Sequence, residues 1–202
     1  MTRKRRSGRV FVVSSPSGGG KTTVVQRLLK KHRGLRRGIT VTTRLPRRGE
    51  RPGRDYHFVS PQAFDQLRRG GRFLEWARVH GASYGTPKRP VLRALADGYD
   101  VVLNIDVQGA RQIRRALGER AVLVFLVPPS MAELKRRLQH RRTETVKTIQ
   151  RRMRAARREL RCARWYDYQV VNDRLAQTVR RLETLMAASE GATQRQRRGT
   201  SP

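Results

Sequence analysis

An apolar run, Val10-Phe-Val-Val13, leads almost directly into Ser15-Pro-Ser-Gly-Gly-Gly-Lys-Thr22, and a helical stretch, Thr23-Val-Val-Gln-Arg-Leu-Leu29, follows at once. The order of buried strand, glycine loop and helix narrows the choice of fold more than any other feature. Three consecutive glycines let backbone N–H groups turn inward around a phosphate, and the helix N-terminus adds its partial positive charge. Lys21 can reach the β and γ phosphates of a nucleoside triphosphate, and the Thr22 hydroxyl can bind Mg²⁺. The strict pattern asks for glycine where this chain has Ser15, a small residue that needs only a slight loop adjustment. A glycine-rich turn that merely precedes Lys-Thr is the alternative, and the flanking strand and helix argue against it.

Two further near-continuous apolar runs, Val101–Ile105 and Val122–Val127, suit strands buried on both faces of a parallel sheet. Helical patterns accompany the runs at Lys21–Lys31, Gln108–Leu117 and Ser130–His140; a shorter strand, Gln169–Val171, precedes a last helix from about Leu175. The alternation predicts an α/β fold with a parallel β-sheet core flanked by helices and right-handed crossovers. Residues 38–96 differ, with shorter strands at Ile39–Thr42 and Tyr56–Val59 separated by the polar loop Arg47–Gly53. From Thr145 to Arg164, Val146, Ile149, Met153, Ala156, Leu160 and Ala163 recur at helical spacing, and the other faces are almost all arginine. Segments 1–8 and 189–202 have too little apolar content to offset ordering entropy and are expected to be disordered tails.

Charge excludes some classes and suggests others. Forty-seven Lys and Arg against fifteen Asp and Glu give a net charge of +32, which favours polyanionic partners and self-repulsion. Leu, Ile, Val and Phe make up about 23 per cent of the chain, above the ~20 per cent below which such charge signals disorder. One cysteine, Cys162, can form neither an internal disulfide nor a cysteine zinc site. No apolar run approaches the roughly 20 residues of a membrane helix, and the N-terminus lacks a signal-peptide core, so no membrane association and a cytoplasmic location are expected. The charge also suits non-specific association with nucleic acid, although no zinc finger, basic zipper or RNA-recognition signature is present.

A carboxylate, Asp106, ends the run Val101-Val-Leu-Asn-Ile105. Such an acid either caps the following helix or holds Mg²⁺ directly or through water, and Lys21 and Thr22 upstream favour the metal role.

Five motifs then follow the loop in order: Thr42-Thr-Arg-Leu-Pro-Arg47, Gly53-Arg-Asp-Tyr-His-Phe58, Phe73-Leu-Glu-Trp-Ala77, Tyr84-Gly-Thr86 and Ile105-Asp-Val-Gln-Gly109. The series resembles the guanylate kinases, P-loop nucleoside monophosphate kinases, from about Arg9 to Leu185. The resemblance implies a P-loop kinase in one domain: a core at about 9–37, 97–134 and 160–188, an inserted mixed α/β GMP-binding region at about 38–96, and a helical lid at about 135–159. It implies Mg²⁺-dependent transfer of the γ-phosphoryl group of ATP to GMP, giving ADP and GDP in purine nucleotide metabolism. By the family pattern Ser15, Pro16, Ser17, Gly18, Gly19, Gly20, Lys21, Thr22 and Thr23 would bind ATP, with Asn172 near the adenine. Arg44, Arg47, Tyr56 and Tyr84 would hold the GMP phosphate, and Glu75, Thr86, Thr40 and Asn104 would surround the base. Arg137, Arg141 and Arg152 fall on lid and hinge arginines and would act with Lys21 in catalysis. Thr22 and Asp106 would serve the metal.

The base assignment agrees with the chemistry of guanine. Its N1–H and N2 amino group are adjacent donors that one carboxylate, Glu75, can accept together, whereas adenine offers an acceptor at N1. Thr86 or Thr40 can donate to O6. The chain departs from the family at Asn104, usually Asp, which removes one negative charge near the base and metal, and at Arg142, which replaces a lid glycine. No general base is required, because the attacking GMP phosphate oxygen is already anionic, so the four histidines need no catalytic role. Three other readings compete: a phosphokinase of a ribose phosphate, a non-catalytic scaffold module, and a basic nucleic-acid-associating protein with a kinase-like fold. A monomer or a homodimer is expected.

Overall fold

The computed structural model describes residues 7–79, 81–139 and 146–198. In chain order the elements are β1 (Val10–Ser14), α1 (Lys21–Lys31), β2 (Leu35–Arg37), β3 (Val41–Thr42), β4 (His57–Phe58), α2 (Pro61–Arg69), β5 (Phe73–Val79), β6 (Ala82–Pro87), α3 (Lys88–Ala96), β7 (Asp100–Asn104), α4 (Val107–Leu117), β8 (Ala121–Val127), α5 (Met131–Gln139), α6 (Val146–Cys162), β9 (Tyr168–Val171) and α7 (Leu175–Arg198).

The apolar runs form the centre of a five-stranded parallel sheet in the order β2-β7-β1-β8-β9. Alternate residues of each strand serve opposite faces, which is why the runs lack polar positions. Val10, Val12, Leu103 and Leu123 pack with Leu95 of α3 and Ile113 of α4, while Phe11, Val13, Val102 and Val124 pack with Val24, Val25 and Leu28 of α1 and with Val179 and Leu182 of α7. β1 sits between β7 and β8 in register, with Val10 opposite both Val101 and Ala121. The loop after β1 and the ends of β7 and β8 therefore open on the same edge, where ligands of open α/β sheets bind.

A second, four-stranded sheet in the order β4-β3-β6-β5 fills the inserted region. Gly81, at φ +88°, lies between β5 and β6, which pair antiparallel. β5 is anchored to α4 through the Gln112 side chain, whose Nε2 donates to Trp76 O at 2.7 Å and whose Oε1 accepts from Trp76 N at 3.1 Å. That contact brings the insert against the core. On the lid side, Ala156 of α6 and Leu134 and Leu138 of α5 are wholly buried together with Met153 against them, while Leu160 and Ala163 pack into the sheet core.

β2 has no sequence signal, since only Leu35 of its three residues is buried, and it exists because backbone pairing with β7 satisfies its amides. The last helix extends to Arg198, past the tail boundary expected at 189, because Ala, Gln and Arg sustain a helix without an apolar stripe. At the other end Gly8 is already part of the fold, its N–H donating to Leu95 O at 2.9 Å. Residues 1–6 and 199–202 of the expected tails lie outside the described residues. Among the described residues no helix is long and apolar enough to cross a membrane.

Candidate active site

The phosphate loop takes the shape its glycines allow. Gly18 and Gly20 both lie at φ +87°, a region L side chains rarely adopt. Lys21 Nζ bridges the loop, donating to Ser15 O at 2.6 Å and Ser15 Oγ at 3.3 Å. Ser15 is accommodated because Gly19 has no side chain: a Cβ there would stand 2.5 Å from Ser15 Oγ. Asn172, buried just after β9, clamps the loop by donating Nδ2 to Gly19 O at 2.7 Å, and a Cβ on Gly20 would lie 2.6 Å from that nitrogen. The amide expected near the adenine is thus engaged in fixing the loop.

Glu75 projects from β5 and is only 2% exposed. Thr86, opposite it on β6, donates its hydroxyl to Glu75 Oε1 at 2.5 Å. Thr86 therefore orients the carboxylate, and Thr40, which lines the cavity, is the better placed of the two threonines to meet a base oxygen. Space for the acid is made by Gly109 of α4, where a Cβ would lie 2.4 Å from Glu75 Oε2. Burial lifts the Glu75 carboxyl from its usual 4.5 to about 7, the Asp106 charge adds to the rise, and the Thr86 hydrogen bonds oppose it.

Arg44 is held by Glu50, with Nη2 at 2.9 Å from each carboxylate oxygen, and its guanidinium lies over the Tyr56 ring at 5.3 Å. The same carboxylate accepts from Arg47 N at 2.8 Å. Tyr56 and Tyr84 meet edge to face, with ring centroids 6.2 Å apart, and burial pushes the Tyr56 hydroxyl up. Arg47, Tyr56 and Tyr84 line the cavity, whereas Arg44 is not among the lining residues and is held by Glu50.

Between these groups and the phosphate loop lies one cavity of about 230 Å³, lined by Ser15, Pro16, Ser17, Gly18, Gly19, Gly20, Lys21, Thr22 and Thr23 at one end and by Thr40, Glu75, Tyr56 and Tyr84 at the other. Asn104 and Asp106 lie between the two ends. Asn104 Nδ2 donates to Thr22 Oγ1 at 3.2 Å, and Asp106 caps α4 by accepting from Gly109 N at 2.9 Å. The cap reading of Asp106 is therefore realised, and the residue also faces the cavity. Arg152 of α6 lines the wall. Arg137 of α5 is fixed between Glu133, at 2.8 Å from Nε, and Asn172 O, at 3.1 Å from Nη2. Arg141 and Arg142 lie outside the described residues.

Three acids that sequence reasoning passed over take part in this arrangement: Glu50 and Glu133, which hold Arg44 and Arg137, and Glu159 of α6, which lines the cavity. Their signal was scarcity, since an isolated acid in so basic a chain is surrounded by candidate partners.

The guanylate kinase family model matches residues 7–189. The chain is similar to guanylate kinases of Dechloromonas aromatica (48% identity over 183 residues, 91% of this chain and 90% of that protein) and Syntrophotalea carbinolica (44% over 184 residues, 91% and 87%). In structure it is similar to the crystal structure of guanylate kinase from Anaplasma phagocytophilum, with a TM-score of 0.78, 33% identity, and coverage of 91% of this chain and 87% of that one.

Proposed function

The chain belongs to the guanylate kinase family, and we propose that the cavity between its phosphate loop and Glu75 performs ATP:GMP phosphoryl transfer through the residues placed around it. The reaction moves the γ-phosphoryl group of ATP to GMP and yields ADP and GDP. The observation that carries the assignment of residues is the buried Glu75 carboxylate, held by Thr86 in the same cavity as the phosphate loop. A phosphate loop alone fits any nucleotide kinase; a buried acid aimed at a base edge selects guanine.

A phosphate oxygen of GMP forms a bond to the γ phosphorus as the bond from that phosphorus to the β–γ bridging oxygen breaks, so ADP leaves carrying the electron pair and no proton need move. Arg47, Tyr56 and Tyr84 fix the acceptor phosphate, Arg44 joins them on the family pattern, and the loop N–H groups with Lys21 fix the donor. Lys21, Arg152 and Arg137 spread the charge of the transferring group, and Arg141 joins them on the family pattern. Helices α5 and α6 exclude water, which would otherwise compete as acceptor.

The residues present fit Mg²⁺. Among the described residues no three His, Cys, Asp or Glu converge to cage a metal. A hydroxyl, an amide and a carboxylate at Thr22, Asn104 and Asp106 suit a hard cation that keeps waters and substrate phosphate oxygens as ligands. Thr22 and Asp106 would hold the ion, which when bound neutralises phosphate charge and orients the chain of phosphates.

A coupled assay on GMP, AMP, CMP and UMP tests the reading: GMP is expected to be preferred by ~10⁴ or more, and equal rates on all four would sink it. A single cysteine and a reaction fed by ATP suit a reducing, cytoplasmic setting.

A second reading, non-specific nucleic-acid association, is favoured by α6. Arg154, Arg157, Arg158 and Arg161 are exposed there and have no acid partner among the described residues. Binding of a generic RNA at 50 mM salt that falls steeply by 200 mM is the expected behaviour, and absence of binding at the lower salt retires the idea.

A further inference from the structure

Arg37 ends β2, at the point where the chain leaves the core sheet for the insert. Its side chain is half-buried among apolar neighbours: with Ile39, Pro87, Pro90, Val91 and Val101 it lines a second cavity, of about 120 Å³. Gly38 and Ile39, on the way into the insert, and Pro87, on the way out, border that cavity, so packing alone does not close the junction between core and insert. What the guanidinium reaches is on the far side of the junction. Arg37 Nη2 donates to Asp55 O at 3.1 Å, and Nη1 stands 3.5 Å from Asp55 Oδ1.

Asp55 is buried at the centre of a closed turn. Its Oδ2 accepts from Arg51 N at 2.9 Å and from Arg54 Nη2 at 2.7 Å, and its own N–H donates to Arg51 O at 3.0 Å. Gly53 N donates to Tyr56 O at 2.9 Å, which makes Tyr56 part of the same turn. The Arg51 N–H first, then the Arg54 and Arg37 guanidiniums, hold the Asp55 carboxyl below its usual range against the effect of burial. Arg54 is exposed and belongs to the turn itself, so it closes the turn without fixing where the turn sits. Of these partners only Arg37 comes from the core sheet.

We propose that Arg37 is a positioning residue for the acceptor phosphate: from the core sheet it holds the turn at Asp55 and so fixes where the Tyr56 hydroxyl stands in the substrate cavity. A planar fork that grips a carbonyl and a carboxylate of one residue sets direction as well as distance, which a single ammonium does not. The effect is confined to the phosphate end of the GMP site. Glu75 stands on β5, on the far edge of the insert sheet from β4, and the phosphate loop follows β1, so neither depends on this strut.

This inference rests on the ATP:GMP reading, and the test keeps the two apart. Binding of GMP, of guanosine and of a non-hydrolysable ATP analogue is measured by calorimetry on the full chain and on Arg37→Met, which keeps an apolar stem and removes the fork. The Kd for GMP is expected to rise about tenfold, as loss of one charge-assisted hydrogen bond to the phosphate implies, while the Kd values for guanosine and the analogue stay within about twofold. In a Tyr56→Phe background, which lacks the hydroxyl, the same substitution is expected to raise the Kd for GMP by less than about twofold, because two changes at one link do not add. Unchanged GMP binding in Arg37→Met, an equal loss for GMP and guanosine, or full additivity with Tyr56→Phe each overturns the proposal. If Arg37→Met fails to fold by circular dichroism, Arg37→Lys, which keeps the charge and loses the fork, takes its place with the same expected split. A parent chain that binds GMP but does not phosphorylate it overturns the reaction assignment and leaves the strut standing; one that binds no GMP overturns both.

Discussion

Glu75 meets two opposing demands, since guanine recognition requires the carboxylate while burial favours the acid. With its carboxyl raised from 4.5 to about 7, the folded chain keeps a proton across a window in which the unfolded chain has lost it. Stability conferred by the protonated form is complete below about pH 4.5 and is lost as pH rises through about 7, to the extent of about 3 kcal/mol. Glu75→Gln is therefore expected to melt several degrees above the parent at pH 8 and level with it near pH 4.5, while losing at least 100-fold in kcat/KM for GMP. Guanine binding follows the opposite sense. The KM for GMP of the parent should rise about fourfold from pH 8 to pH 6.5 as the carboxylate fraction falls, and the Gln variant, which shares the titration of GMP itself, should lack that rise. A second residue-scale test concerns Asn104, whose Nδ2 donates to the Thr22 hydroxyl. Asn104→Asp converts that donor to an anionic acceptor, and the Mg²⁺ concentration giving half-maximal rate is expected to fall about threefold, with an increase overturning the metal role given to this corner.

At the scale of elements, the acceptor site depends on how closely α4 approaches β5. Gly109 permits that approach, and a Cβ there would lie 2.4 Å from Glu75 Oε2 and 3.0 Å from its Cδ. Ala is the better helix former by about 1 kcal/mol, so Gly109→Ala should strengthen α4 while displacing the carboxylate. The expected result is at least a tenfold rise in the KM for GMP with little change in melting temperature or in ATP-analogue binding; a variant with parental GMP kinetics would show that Glu75 relocates freely. How far such elements were legible in the sequence follows from what formed them. α1 begins and ends where the pattern placed it, because its buried Val24, Val25 and Leu28 declare a helix face by spacing alone. β5 and β6 were visible only as motifs, since their residues are chosen by the site they build. β2 was silent because it exists through pairing rather than burial. In the site, residues whose type is dictated by substrate chemistry, such as Lys21 and Glu75, could be read directly. Glu50 and Glu133 could not, because their roles depend on which arginine the fold brings within reach.

The whole molecule carries +32, and its acids are largely committed. Glu50, Asp55, Asp65, Asp97, Glu133, Asp167 and Glu183 each hold a basic partner, while Glu75, Asp106 and Glu159 face the cavity. The remaining guanidiniums repel one another over distances that salt controls, since the screening length falls from about 30 Å at 10 mM to about 6 Å at 300 mM ionic strength. The existing pairs have contacts of 4.0 Å or less and lose little by the same screening. Added salt should therefore stabilise the fold, by about 5 °C in melting temperature between 10 and 300 mM sodium chloride, and sulfate should exceed chloride at equal ionic strength because it is also excluded from the surface. The same field draws anionic substrates to the cavity, so the KM for ATP should rise over the range in which the melting temperature rises. Stability and substrate capture thus respond to salt in opposite senses. A melting temperature that falls with salt would mean that attractive pairs dominate the fold, and a KM for ATP that ignores salt would confine the useful charge to Lys21 and the few arginines at the cavity.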